Sequence, residues 1–496
     1  MATIDVPSGE LSDGREEGAG QSRRSARQAK VHMEAVDRYH ECQSALRDER
    51  LQALSDRRFC DIEGAQWEGP LAEQFENKPK FEINKTRKAV NDIIGDYQNN
   101  RIGPEFIAKD GVSDTDLADA CGMLHRRDEQ DSVAVEAYDN ALQEAVKGGI
   151  GAWRICSDYE DKNVEEDGAD QRITIEPIFD ADSSVFFDLN AKRLDKSDAR
   201  FAFVVSSMTR REYWRVYKED PGTWGKLIHQ YEFDWLTPDV VYIAEYYVKK
   251  EVFTTSFTYR GMSGDEVTYD QDDLKDNPGL KRRLRATGYK KVKTRRERRC
   301  RVWKYIMNGR GIMGKPTRIA GEEIPIIPVY GHRSFIDNVE RIRGHVRGVK
   351  DVQRVKNMQV SKLAEIAGVS VIEKAIVTPE QMAGNENYWA QDNLENYAYL
   401  LLNAVMGPDG STMLSGPLGW TKPTQVPPAL PALHQLVEQD LQELMGAPQE
   451  AEKVISHVSG KAIEAIKQQI DRKSLPFIMN MAKAMRRSAQ VWLSMA

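Results

Sequence analysis

No stretch of this chain is apolar enough to cross a bilayer. None approaches the roughly 18 consecutive apolar residues of a spanning helix, so no membrane is expected. Cysteine is scarce and unpatterned: Cys42, Cys60, Cys121, Cys156 and Cys300 are odd in number and never spaced C-x-x-C. That argues against a disulfide framework or zinc site and fits a reducing compartment. The eight histidines form no H-E-x-x-H and no His/Cys cluster; His332 and His345 read as solvated or interface side chains, not metal ligands. The N-terminus lacks the apolar core of a signal peptide and reads as a polar arm, disordered over 1–22. No internal repeat is found.

What is abundant is charge. Charged residues make up 30% of the 496, the net charge is −7 and the mean hydropathy is −0.59. A chain of this length exceeds one compact core, so about two to four domains are expected. A net negative balance argues against a protein that coats nucleic acid, but the distribution is uneven. Asp265–Asp276 is acidic, whereas Lys281–Arg301 holds Lys281, Arg282, Arg283, Arg285, Lys290, Lys291, Lys293, Arg295, Arg296, Arg298, Arg299 and Arg301 against Glu297 alone. Cations packed this densely are best tolerated where a polyanion or an acidic protein neutralises them. Aromatic residues within the run are few, only Tyr289 with Trp303 and Tyr305 nearby, so a stacking platform for single strands is not expected.

Taken in order, the first 150 residues read as helices. Residues 23–58 carry an apolar stripe of Val31, Met33, Ala35, Val36, Tyr39, Ala45, Leu51 and Leu54; a helix follows over 83–98, with Val90, Ile93, Ile94 and Tyr97. Ser113-x-x-Asp116 outlines a capping box ahead of Leu117–Leu124, and another helix spans 131–147, stopping at Gly148-Gly149. The period then changes. Trp153–Cys156, Arg172–Ile178, Ser184–Phe187, Phe201–Val205 and Val240–Tyr247 read as strands, interrupted by a helix at Arg210–Lys218. Helix is expected again over 264–288, broken by Asn277-Pro278-Gly279, then strand-like arms at Val292–Met307 and Ile319–Tyr330 around Asn308–Pro316. The remainder is loop-rich to 425, with helices at 432–446, 459–470 and 474–494. The fold class is α+β.

The stretch Ile324–Ala367 organises this pattern. A short strand turns at Gly331 and runs into a long helix on which Val339, Ile342, Val346 and Val349 share one face, while Val352, Val355, Met358, Leu363 and Ile366 drift to the far side. Such a helix meets two different neighbours. Gly344 and Gly348 in its first half suggest a bend or a close contact.

Ile324, Pro325, Pro328, Val329, Tyr330 and Gly331, followed by Arg343, Gly344, Val346, Arg347, Lys350, Asp351, Gln353 and Arg354, resemble the descending stem of phage portal proteins of the short-tailed Salmonella-phage type. Gly149–Asp161, Val185–Ala199, Leu444–Gln449 and Ser459–Ile463 resemble the same family in the same order, so the likeness runs from about residue 30 to the end. It implies a portal fold: a helical and β wing at 23–262, a two-helix stem at 263–288 and 338–368, a small β-rich clip at 289–337, a wing return and tunnel-loop region at 369–427, and a C-terminal helical crown at 428–496. The resemblance implies that relatives of this type often continue into a helical barrel, and no such barrel is expected within these 496 residues.

The resemblance further implies a ring of twelve copies at one capsid vertex, through which double-stranded DNA enters during packaging and leaves during ejection. Implied partners are the packaging motor (terminase), tail adaptors, and capsid and scaffolding proteins; the location is the virion, and the host cytoplasm during assembly. Lys290, Lys291, Lys293, Arg295, Arg296, Arg298, Arg299 and Arg301 are the candidate partner-docking residues of the clip. Val339, Ile342, Val346, Arg347, Val349, Lys350, Asp351, Val352, Arg354 and Val355 are candidates for the stem and subunit interface.

No catalytic, cofactor or metal site is expected. Gly309–Lys315 satisfies G-x-G-x-x-G and most of a phosphate-binding loop, but Pro316 stands where the Mg²⁺-binding Ser/Thr belongs, and Thr317–Ile324 reads as turn and strand. A glycine-rich β-turn is the better reading. The acids of Asp158–Asp170 lack the apolar interleaving of a rigid metal site and read as a solvated loop. Trp153-Arg154 reads as a buried Trp beside an interface Arg. The main competitor is a packaging motor ATPase or nuclease, against which Pro316 speaks. A double-stranded DNA-binding module would call for a basic recognition helix.

Overall fold

The computed structural model describes residues 14–108, 115–159, 171–220, 234–261, 266–271, 273–277, 279–369, 375–391, 399–406, 412–414, 416–420, 429–445 and 460–496. In chain order the helices are α1 (Gly14–Asp61), α2 (Pro70–Gln74), α3 (Lys85–Asn99), α4 (Thr115–Asp131), α5 (Ala134–Lys147), α6 (Ala181–Ser184), α7 (Arg210–Tyr217), α8 (Asp273–Asp276), α9 (Leu280–Ala286), α10 (His345–Val369), α11 (Pro379–Met382), α12 (Glu386–Gln391), α13 (Ala429–Met445) and α14 (Gly460–Met495). The strands are β1 (Ile150–Tyr159), β2 (Gln171–Ile178), β3 (Val185–Phe187), β4 (Phe201–Thr209), β5 (Val240–Arg260), β6 (Glu266–Asp270), β7 (Lys290–Met307), β8 (Ile312–Arg318), β9 (Ile326–Tyr330), β10 (His332–Ile336), β11 (Val339–Arg343) and the short β12 (Ala375–Ile376), β13 (Val405–Met406), β14 (Thr412–Leu414) and β15 (Gly419–Trp420). The mixture is α+β, as the sequence indicates.

Two compact units result, the first from Met1–Arg58, Lys88–Arg347 and Pro448–Ala496, the second from Phe59–Arg87 and Gly348–Ala447. In the first, β3-β4-β5-β7-β8 form one sheet, with β6 also paired to β5, and β2-β1-β9 form another. Alternating side chains of β4, β5 and β7 feed two cores, one on each face of the large sheet. Phe203, Tyr246, Tyr305 and Met307 pack with Ala35, Val36, Tyr39 and Cys42 of α1, which recur at helical spacing. Ala202, Val204, Tyr247 and Val302 pack instead with Ala152 and Ile178 of the second sheet and with Ile324 and Ile326. Met33, Leu51 and Leu54, assigned to the α1 stripe from sequence, are exposed.

Trp153 is fully buried, its indole donating to Ser488 Oγ of α14 at 3.1 Å. Arg154 reaches Glu176 at 2.7 Å and Glu245 at 3.1 Å, and Lys304 reaches Glu245 at 2.8 Å. Burial alone would raise the Glu245 carboxyl, but Lys304 and Arg154 hold it below the usual carboxylate range. All five cysteines are unbridged.

Several sequence expectations are corrected here. Of the residues read as a polar arm, 1–13 lie outside the described residues, and α1 is bounded by Gly14–Asp61. Of the stem helix expected over 263–288, α8 ends at Asp276 and α9 begins at Leu280, on either side of the expected break at 277–279, but Glu266–Asp270 is the strand β6. Val267 and Tyr269 recur at period two, and β6 pairs antiparallel with Ser256–Arg260. The second stem helix begins at His345, because Val339–Arg343 forms a hairpin with β10 around Asp337 and Asn338, both at positive φ (52° and 62°). Val339 and Ile342 therefore lie on a strand and share no helix face with Val346 and Val349. Nor is 289–337 a small excursion held between two helices. Its β7 is an 18-residue strand whose C-terminal half is an interior strand of the large sheet. The helices placed at 459–470 and 474–494 are the single α14, with Pro476 inside it. The capping Ser113 and most of the acidic run at 158–170 lie outside the described residues.

Candidate functional site

Every residue of the basic candidate cluster lies on β7. From Lys249 outward, β5 and β7 leave the body as an antiparallel ribbon that pairs Lys250 with Arg301 at its base and Arg260 with Lys290 at its end. A strand places successive side chains on opposite faces, which divides the cations into two sets. Arg299 lies on the covered face. It meets Asp270, which is 3% exposed, at 2.6 Å, and lies near Glu297 and Glu322. Arg295 lies 3.7 Å from Glu297, and Arg298 pairs with Glu251. These arginines help hold the ribbon together.

Lys290, Lys291, Lys293 and Arg296 have no acidic partner among the described residues, and neither do the exposed Lys281, Arg282, Arg283 and Arg285 of α9. Leu284, on the same helix, is buried and anchors it. The Tyr289 backbone N–H donates to Leu284 at 2.9 Å, so α9 is tied to the entry of β7. The α9 cations thus stand in sequence and in space beside the free cations at the start of β7. Sequence reasoning grouped all eight β7 cations together; the pairing of Arg295, Arg298 and Arg299 appears only when β5 and β6 are in place.

The stem candidates divide in the same way. In the first unit Val346 is buried, and Arg347 donates to Asp56 at 2.8 Å, to Glu49 at 3.1 Å and to the Ile342 carbonyl at 3.0 Å. Arg347 is therefore an internal bridge. Val339 is exposed, and Ile342 stands opposite Arg333 in the hairpin.

In the second unit Val349 is buried, but the remaining inward side of α10 is polar. Gln353 and Asn357 bond Gln66 at 3.2 and 2.6 Å, Ser361 accepts from the Phe81 N–H at 2.9 Å, and Lys356 and Lys85 share Glu438. Burial, with the second cation Lys85 beside it, pushes the Lys356 ammonium down. Lys350 and Arg354 each lie 5.4 Å from the Phe59 ring. Asp351 is 94% exposed; Val352 is half-buried and Val355 is 36% exposed. The buried side of α10 in this unit is thus polar, and its outward side sets the charged Asp351 beside Val355.

The glycine-rich loop is a hairpin turn between β7 and β8. The amides of Arg310 and Gly311 both donate to Asn308 Oδ1 at 2.9 Å, so they are not offered to a phosphate, and Lys315 lies on β8 with no helix after it. His332 packs edge-on against Phe477, and burial together with Arg343 lowers its pKa. No metal-competent His/Cys/Asp/Glu group occurs among the described residues.

Comparison with known proteins agrees with the resemblance in the sequence. The family model for the phage P22-like portal protein matches residues 36–496. The chain belongs to the P22-like portal protein family. A curated relative, the portal protein of Acyrthosiphon pisum secondary endosymbiont phage 1, is 37% identical over 473 residues. That match covers 94% of this chain and 65% of the relative, so the chain spans just under two thirds of that portal protein.

Proposed function

We propose that the chain is the subunit of a closed ring at one capsid vertex, forming the channel for double-stranded DNA during packaging and ejection, and that it catalyses no reaction itself. The family match over residues 36–496 carries this reading. Two features support it. The outward side of α10, with Val355 beside Asp351, gives each subunit a surface for a neighbour, and a heterologous contact that closes gives a cyclic oligomer, here of about twelve copies. The acidic net charge suits a channel in which DNA must slide, because strong phosphate contacts would hold it. Capsid and scaffolding proteins would surround the ring at its vertex.

We further propose that the packaging motor, and later the tail adaptors, dock on the basic ribbon. The cations without an acidic partner among the described residues, Lys290, Lys291, Lys293 and Arg296, carry this contact with those of α9, while Arg295, Arg298, Arg299 and Arg301 belong more to the ribbon's own framework. Replacing the four free cations by Glu leaves ring formation intact and abolishes motor binding, and wild-type binding weakens as salt rises. Normal motor binding by the reversed ring would refute the docking assignment.

A further inference from the structure

Beyond Lys249 the ribbon's two faces differ in chemistry. Residues directly opposite one another in antiparallel strands share a face. Phe253 stands opposite Arg298, Thr255 opposite Arg296, Phe257 opposite Tyr269 on β6, and Tyr259 opposite Lys291. The register shift between Thr258 and Tyr259 places the extra residue Val292 on β7 and so keeps Lys291 on this side. One face of the three strands therefore gathers four aromatic rings, Phe253, Phe257, Tyr259 and Tyr269, beside three cations, Lys291, Arg296 and Arg298.

This face is open. Phe253 is 62% exposed, and none of the seven residues is buried, whereas Thr254, Ser256 and Asp270 on the other face are. The Lys291 ammonium lies 4.0 Å from the Phe257 ring centroid, and the Arg296 guanidinium 4.7 Å from that of Phe253. Tyr259 and Tyr269 are 6.4 Å apart. Glu251, paired with Arg298, is the one carboxylate on this face among the described residues of the three strands. The aromatic content comes from β5 and β6, some thirty residues before the basic run, so the run itself gives no sign of it.

We propose that this open face binds single-stranded nucleic acid, with bases on the rings and phosphates on Lys291, Arg296 and Arg298. Aromatic rings on a sheet accept any base by stacking, and adjacent cations track the backbone. An acidic polypeptide would use the cations but has no need of four grouped rings, and a duplex keeps its base faces stacked internally, out of reach of the rings. In the free protein Lys291 and Arg296 rest over the rings, and Arg298 pairs with Glu251. An arriving base takes that position, and the cation turns to the phosphate. This activity goes beyond the ring reading and does not depend on it.

The test measures fluorescence anisotropy of the full chain with a labelled oligothymidine of about twelve nucleotides, within the usual span of such sites. A duplex of the same length and polyglutamate serve as competitors. The single strand should bind more tightly than the duplex, and polyglutamate should compete poorly. Phe253→Ala should weaken binding about tenfold, the loss of one stacking ring, while Phe253→Tyr retains it. Because Phe253 is exposed, neither change threatens the fold. Arg296→Ala should lower the salt slope by about 0.7, the value for one phosphate of a single strand. The proposal is overturned if Phe253→Ala binds like wild type, if the duplex binds as tightly as the single strand, or if polyglutamate displaces the oligomer as well as unlabelled oligomer does. Each of those results leaves ring formation, and hence the portal reading, untouched.

Discussion

Arg347 bridges two buried carboxylates, Asp56 and Glu49, the second of which Arg341 also meets at 2.7 Å. Asp56 and Glu49 are both nearly buried, and the guanidinium bridges them while also holding the Ile342 carbonyl. Removing one partner of a buried ion pair leaves charge without compensation, at a cost of about 3–5 kcal/mol. With Arg341 still beside Glu49, Arg347→Met should lower unfolding stability by less than that, about 1–3 kcal/mol, seen as a fall in denaturant midpoint with little change in slope. A variant as stable as wild type would show that water or a relaxed side chain satisfies the two acids. The resemblance to the portal stem marked Arg347 as an interface residue. Its partners are almost 300 positions away on α1, and no local pattern reveals them. Trp153 was easier to read, since a large aromatic residue in a β-branched strand is buried in most folds.

At the scale of elements, the glycines before and inside α10 make opposite predictions. A side chain at Gly344 would run into the Lys147 carbonyl, whereas one at Gly348 would meet nothing within 4 Å. Gly344→Ala should therefore destabilise by about 1–3 kcal/mol through overpacking, and Gly348→Ala should stabilise by up to about 1 kcal/mol through helix propensity. Thermal unfolding of the two variants checks both signs. If Gly348→Ala instead prevents assembly without unfolding the subunit, the glycine serves a close contact between copies.

The same elements show what a sequence can carry. Helices α3, α5, α7 and α10 and strands β1, β2, β4 and β5 were legible, because each has several turns or pleats of consistent period. The stretch 266–286 was not. Its strand is five residues long, and its pairing with Ser256–Arg260 is a tertiary fact that overrides a charged, helix-compatible composition. Val339–Arg343 misled similarly: Val339, Ile342 and Val346 fit helical spacing, yet Asp337-Asn338 turns the chain into a hairpin first. The basic run was found as a cluster, but its division into framework arginines and free cations depends on the neighbouring strands.

At the scale of the whole molecule, the central claim concerns a surface that one chain leaves uncovered. The buried side of α10 in the second unit is lined by Gln353, Lys356, Asn357, Gln359 and Ser361, while Val355 faces outward. A polar interior in which Gln353 Oε1 and both polar side-chain atoms of Gln359 find no hydrogen-bond partner among the described residues suits a subunit completed by its neighbours. Family membership over residues 36–496 gives the same expectation. The most direct measurement is the native mass of the purified chain at micromolar concentration. The account predicts a closed species of about twelve subunits of 56.3 kDa each, with neighbouring ring sizes possible. A protein that stays strictly monomeric under those conditions would contradict it.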